Sequence, residues 1–240
     1  MSRIRSEKFV HVYNQPLMET FMNPISSRRS LLTGAVAAAV GAVATTAQAA
    51  QSCRVSNGDV IGPFFLPGSA QNANATIALA KATEGGDHVV ITGRLLAPDC
   101  KTPVAGAMVD IWQANAKGAY DIANPSEKIA PANYNLRGQT QTNDKGEFVL
   151  KTVMPGAYDI PPGFPGLEKM AGQTRPRHIH MSVVHPLFVP LTTQIYFKGD
   201  SQIKVDPWAK HSKVIIDMKG KEGRIDIVLA SGPMTVGGKG

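Results

Sequence analysis

The sequence has little charge: 18% of its 240 residues are Asp, Glu, Lys or Arg, against 43% hydrophobic. A chain this apolar is not disordered. It shows no Gly-X-Y period and no sustained heptad, which excludes a collagen and a coiled coil. Its one uncharged small-residue stretch, residues 34–44, falls short of the ~20 strongly apolar residues that span a bilayer as a helix. Aromatic residues make up only 6%, and there are two cysteines. Helical periodicity is also scarce. What remains fits one domain of ordinary size behind an N-terminal segment.

That segment reads as an address. Ser27-Arg28-Arg29-Ser30-Leu31-Leu32 pairs two arginines with an apolar start, and Ala47-Gln48-Ala49 offers the small residues that a signal peptidase cuts after. A basic stretch, an apolar stretch and an A-x-A site form a secretory signal. The twin arginine points to the twin-arginine (Tat) route and a periplasmic or secreted protein. Met18 and Met22 are alternative starts. The expected division is residues 1–49 as export signal and 50–240 as one folded domain.

Cleavage changes the charge. The formal charge of the whole chain is +7. The first 49 residues carry Arg3, Arg5, Lys8, Arg28 and Arg29 against Glu7 and Glu19, so the rest has 20 basic and 16 acidic residues, or +4. No basic cluster larger than a pair survives, and a nucleic-acid footprint needs a basic stripe. No nucleic-acid partner and no stable membrane span after cleavage are expected. The protein is expected to act alone or as a homo-oligomer. Cys53 and Cys100, an even pair in an exported chain, are expected to form a disulfide. It would close a 47-residue loop, worth about 4 kcal/mol on a chain-entropy argument.

The mature chain reads as all-β. Strands are expected at His88 to Leu96, Ala107 to Trp112, Glu147 to Val153, His178 to Val184, Thr192 to Phe197, Val214 to Met218 and Arg224 to Ala230, the last two as a hairpin. Short strands punctuated by Gly, Pro, Asn and Asp suggest an antiparallel β-sandwich. Two long loops, Gln113 to Gln139 and Gly156 to Thr174, suit active-site loops.

The candidate chemistry begins at His178 and His180. Residues two apart in a strand share a face, so this His-x-His presents two imidazoles together. Spacing alone allows a metal pair or a structural pair. Zinc would want Cys, a third His or a carboxylate. A facial triad needs a carboxylate, and the nearest upstream is Glu168. The long loops offer Tyr120 and Tyr158 in two similar settings, Gly118-Ala119-Tyr120 and Gly156-Ala157-Tyr158. A phenolate is a hard anionic donor suited to Fe(III). By spacing alone, each tyrosine could equally be a loop residue packed on the core.

Several segments resemble the intradiol ring-cleavage dioxygenases. They are Gly62-Pro63-Phe64-Phe65, Val109 to Tyr120, Thr142 to Phe148 running on to Met154-Pro155-Gly156-Ala157-Tyr158, Arg175-Pro176-Arg177-His178-Ile179-His180, and Thr193-Gln194-Ile195-Tyr196-Phe197. The matches run in order to about Leu229, and the resemblance is closest to protocatechuate 3,4-dioxygenase subunits. It implies one mononuclear non-haem Fe(III) held by Tyr120, Tyr158, His178 and His180, a catechol-type substrate cleaved with O2 between its hydroxylated carbons, and a cis,cis-muconate product. It further implies Tyr158 as a proton acceptor, Arg175 stabilising negative charge on the ring, and Gln194 lining the pocket. Asp159-Ile160 stands where protocatechuate enzymes commonly carry Pro and an aromatic. Arg137 and Arg177 are the nearby candidates for a carboxylate anchor. The alternative is a metal-free transthyretin-like or carboxypeptidase-regulatory-like binding sandwich, suggested by Pro103 to Ala107, Asp144-Lys145-Gly146 and Pro155 to Tyr158.

Overall fold

Strands form where apolar and polar residues alternate, and the sheet is assembled from such segments. The computed structural model describes residues 54–67, 71–72, 74–123, 126–163 and 167–232. The expected export segment lies outside them. In chain order the strands are β1 Gln71–Asn72, β2 Thr76–Ala78, β3 His88–Leu96, β4 Met108–Gln113, β5 Arg137–Gln141, β6 Glu147–Val153, β7 Tyr158–Asp159, β8 Thr174–Arg175, β9 His178–His185, β10 Phe188–Phe197, β11 Ile215–Lys219 and β12 Glu222–Val228. The described helices are four short 3-10 turns.

Ten strands make one sheet in the order β1-β5-β4-β9-β10-β11-β12-β3-β6-β2. The sheet is mixed, which corrects the expectation of an antiparallel sandwich: β1/β5, β10/β11, β12/β3 and β2/β6 pair in parallel. Alternation fixes which face a residue takes but not the direction of the neighbouring strand, so the parallel pairs leave no mark in the sequence. The sheet nearly closes into a barrel. At the gap, a Cβ added to Gly138 of β5 would meet Cδ1 of Ile77 of β2 at 2.5 Å. Ile91, Leu95, Phe148 and Leu150 from one half interlock inside with Val109, Ile111, Ile179, Met181 and Ile195 from the other.

Gly93 shows how tightly this interior is filled. It pairs with Phe148 across β3 and β6, and any Cβ there would fall onto three atoms of the Phe148 ring. Phe148 is fully buried, so the ring has nowhere to swing. Gly93→Ala is expected to destabilise the fold by about 1–3 kcal/mol, the usual cost of overpacking. Denaturant unfolding checks this, and an unchanged midpoint would show that the core yields.

Two features of the sheet place the site. On β9 the odd residues Ile179 and Met181 enter the core, so His178 and His180 point to the opposite face, and all four are buried. Trp112 of β4 and Gln194 of β10 flank His180, and Tyr196 pairs with His178. A polar set buried on the outer face of a sheet requires a cover, which the two long loops supply. The second feature is the parallel β10/β11 pair. Parallel neighbours need a crossover, and this one, residues 198–214, carries Asp206 and Trp208 over the same face.

Cys100 is disulfide-bonded, as the even cysteine count suggests, and Cys53, the other cysteine of the chain, lies outside the described residues. No helix among the described residues is long and apolar enough to cross a membrane.

Candidate active site

The two Gly-Ala-Tyr turns dock on each other. Asn115 organises the first: its side-chain oxygen accepts from the backbone amides of Lys117 and Ala119, and its carbonyl accepts from Gly156. Gly118 takes φ +81°, and a Cβ on it would strike the Ala157 carbonyl. A Cβ on Gly156 would sit 2.6 Å from the Ala116 carbonyl oxygen. Both glycines are therefore required for the turns to touch, and the contact brings the tyrosine rings to 5.7 Å between centroids, nearly perpendicular.

The sequence-predicted residues Tyr120, Tyr158, His178 and His180 come together in one ring of aromatics. His178 lies 4.8 Å from His180, 5.6 Å from Tyr158, and Tyr120 lies 6.4 Å from His180, all between centroids. Each ring is held from behind. Trp112 stacks on His180 at 4.9 Å, and Gly62 leaves room for it, since a Cβ there would come within 2.8 Å of Cε1. Phe64 stacks on Tyr120 at 4.1 Å. His178 Nδ1 lies 2.6 Å from the Pro176 carbonyl. A carbonyl only accepts, so Nδ1 carries the proton and the Nε2 lone pair is free, the arrangement seen in metal-binding histidines.

Tyr120 Oη, His178 Nε2, and both ring nitrogens of His180 are buried without a hydrogen-bond partner. Buried polar atoms are normally satisfied, and leaving one bare costs about 1–3 kcal/mol. Burial, helped by the Arg175 charge, pushes the His178 pKa down to about 3. Burial and the neighbouring His178 hold His180 well below the ordinary value. Burial raises Tyr120, with the Tyr158 charge second; burial also raises Tyr158, against the pull of Arg175. Neutral imidazoles are the form that binds metals, and phenolates here need a cation. The two phenol rings of Tyr120 and Tyr158 stand beside the two imidazoles. The donor set fits a hard ion such as Fe(III).

These shifts have a consequence for the metal-free protein. Both histidines bind protons more weakly folded than unfolded, where the value is 6.5. Below pH 6.5 the unfolded chain takes up protons that the folded chain refuses, so stability falls as pH is lowered from about 6.5 toward 3. The slope reaches about 1.4 kcal/mol per pH unit for each histidine. Unfolding midpoints at pH 7 and pH 5 check this; equal midpoints would contradict the burial of neutral imidazoles.

Arg175 lies directly across from Tyr158 in the β7/β8 pair. It is buried, donates from Nε to Asp206 at 2.6 Å, and donates from Nη2 to Gln194 Oε1 and Tyr196 Oη. Its guanidinium stacks on Trp208 at 4.5 Å. Gln194 in turn donates to Val60 O and Asp59, and Tyr196 donates to Asp59. Gln194 thus lies behind Arg175 rather than on the cavity wall. Arg137 is sealed in an ion pair with Asp121 and donates to the Phe64 carbonyl. Arg177 is exposed, with its backbone amide held by Asp200. Neither arginine lines the cavity over Tyr158 and Arg175.

That cavity, about 500 Å³, opens over Tyr158 and Arg175 and is walled by Val60, Ile61, Ile160, Leu167 and Trp208. Asp206, Tyr196, Asp59 and Trp208 escaped the sequence reading. Tyr196 carried a usable signal, because it alternates with Gln194. Asp206 and Trp208 did not, because only the crossover brings them near Arg175.

A dioxygenase family model matches residues 60–225 of the chain. The chain belongs to the dioxygenase family. Among its relatives, the intradiol ring-cleavage dioxygenase prcA of Aspergillus niger is 30% identical over 167 residues, covering 68% of this chain and 52% of that one. Catechol 1,2-dioxygenase 1 of Acinetobacter lwoffii is 33% identical over 167 residues, covering 68% and 53%. The dioxygenase domain of a dioxygenase–carbohydrate-binding protein fusion from Streptomyces sp. SirexAA-E superimposes with a TM-score of 0.57 at 28% identity, over 75% of this chain and all of that one. The chain spans about half the length of the two curated relatives. Both are named as intradiol or catechol enzymes, whereas the motifs pointed to protocatechuate subunits.

Proposed function

We propose that this dioxygenase is a non-haem ferric enzyme that cleaves a catechol-type ring with O2 between its two hydroxylated carbons, giving a cis,cis-muconate. The observation that carries the reading is the cluster of buried, partnerless oxygen and nitrogen donors on Tyr120, His178 and His180, with Tyr158 between them and an apolar cavity. A metal-free binding sandwich would have no use for that cluster, which costs stability while empty.

Tyr120, Tyr158, His178 and His180 would hold the iron. Bound there, ferric iron would supply Lewis acidity that favours the deprotonated catechol and polarises its ring toward O2. Of the four, Tyr158 stands on the cavity wall, so its Oη is the group placed to accept a proton from an entering catechol hydroxyl. Arg175, opposite Tyr158, keeps its charge in a dry pocket and lies where negative charge on the ring would build. Gln194 and Asp206 fix the angle of the guanidinium. The apolar wall keeps water from the reacting ring. The names of the matched relatives support catechol over protocatechuate as the parent substrate.

The test is oxygen uptake by iron-loaded protein offered catechol, with the product identified by mass and absorbance. One O2 consumed per ring and a muconate product are expected. A yellow extradiol product, or no uptake by folded iron-loaded protein, would overturn the reading. We also propose export by the twin-arginine route. The exported protein should then begin near Ala50, and an intact Met1 in that fraction would count against it.

A further inference from the structure

We propose that the cavity selects uncharged catechols bearing an apolar substituent on the ring and rejects ring carboxylates. This rests on the ring-cleavage reading and deepens it.

Size is the first argument. A bare catechol is one six-membered ring with two hydroxyls, whereas about 500 Å³ lies in the range of pockets for larger ligands, about 300–1,000 Å³. The second argument is the wall. Beyond Tyr158 and Arg175, which face the reacting end, the lining carries no charged side chain and includes Ile61, Ile160, Pro161, Leu167 and Trp208. Ile160 is the residue at which the sequence departs from the protocatechuate pattern, and it is buried on this wall. Its neighbour Asp159 is exposed and held away by Thr174 Oγ1.

The third argument is charge. Arg175 is the cavity's one cation among the described residues, and it stands paired with Asp206 at the reacting end opposite Tyr158, not on the apolar wall. Arg137 is paired with Asp121, and the exposed Arg177 is not part of this cavity's lining. A ring carboxylate entering this cavity would lose its water and find no free positive partner. An alkyl group would gain from burial, by about fourfold for each methylene fully covered.

Two measurements on the iron-loaded protein test this. Steady-state oxygen uptake compares catechol, 4-tert-butylcatechol and 3,4-dihydroxybenzoate; anaerobic calorimetry compares the affinities of the same three without turnover. We expect kcat/KM for the tert-butyl compound to exceed that of catechol about tenfold or more. We expect the dihydroxybenzoate to fall at least about a hundredfold below catechol, with affinities in the same order. Leu167→Arg places a cation on the half-buried part of the wall and should shift the ratio of dihydroxybenzoate to tert-butylcatechol by at least tenfold toward the acid. Turnover with the carboxylate preferred, or with catechol favoured over the alkylcatechol, would overturn the selectivity and leave ring cleavage standing. The expected order of affinities without any turnover would support the cavity assignment and overturn ring cleavage. Equal affinities for all three would overturn the selectivity.

Discussion

Tyr120→Phe is expected to make the metal-free protein more stable and the iron-loaded protein nearly inactive. The hydroxyl is buried without a partner, while the ring itself is stacked on Phe64 and stays in place. Removing the oxygen relieves a desolvated polar atom, worth about 1–3 kcal/mol. For a domain of this size that is roughly a 2–10 °C rise in Tm. With iron the sign reverses. One of two anionic donors is lost, so affinity for ferric iron and ring-cleaving activity should both fall by at least ~10²-fold, the upper range for disturbing a metal ligand's support. Thermal unfolding without iron and oxygen uptake with it read the two halves separately. A metal-free variant that is less stable than the parent would mean that the hydroxyl has a structural partner. Undiminished activity would mean that Tyr120 is no ligand.

Asp206→Asn is expected to cost about 3–5 kcal/mol and most of the activity. Its carboxylate is the buried counter-charge of Arg175 at 2.6 Å, with both side chains almost wholly covered. Breaking such a pair on one side strands the other charge. Asp206 also accepts from the amides of Trp208 and Ala209, so it holds the crossover turn that stacks Trp208 on the guanidinium. The paired change Arg175→Met with Asp206→Leu removes both charges and should recover much of the stability, because a buried ion pair is often replaceable by apolar residues. It should not recover activity, because no cation is left beside the ring. Recovery of activity in the double variant would remove Arg175 from the chemistry.

How much was legible in the sequence follows from what alternation can carry. β3 and β6 fall on their expected bounds because buried Val89, Ile91 and Leu95, and Phe148 and Leu150, recur at even spacing along them. The β11–β12 hairpin was marked by Lys219-Gly220. β5, Arg137–Gln141, has no apolar side chain and so carries no strand alternation in the sequence. β10 begins at Phe188, earlier than expected, since its first residues are half-buried or exposed. The four iron-ligand candidates were legible through the resemblance to the intradiol dioxygenases, since the His-x-His spacing and the paired Gly-Ala-Tyr turns alone left a structural pair and packed loop residues open. What places Asp206 on Arg175 is a parallel crossover between residues 31 apart, and strand direction has no signature in a one-dimensional pattern. For the same reason the mixed, nearly closed sheet was read as an antiparallel sandwich.

The central claim is that Tyr120, Tyr158, His178 and His180 form one ferric site. Its most direct test is a visible-absorbance titration of metal-free protein with ferric iron. One equivalent should develop a broad red-brown tyrosinate-to-iron band, then saturate, and the band should be lost in Tyr120→Phe. A protein that stays folded, colourless and free of iron through the titration would contradict the account.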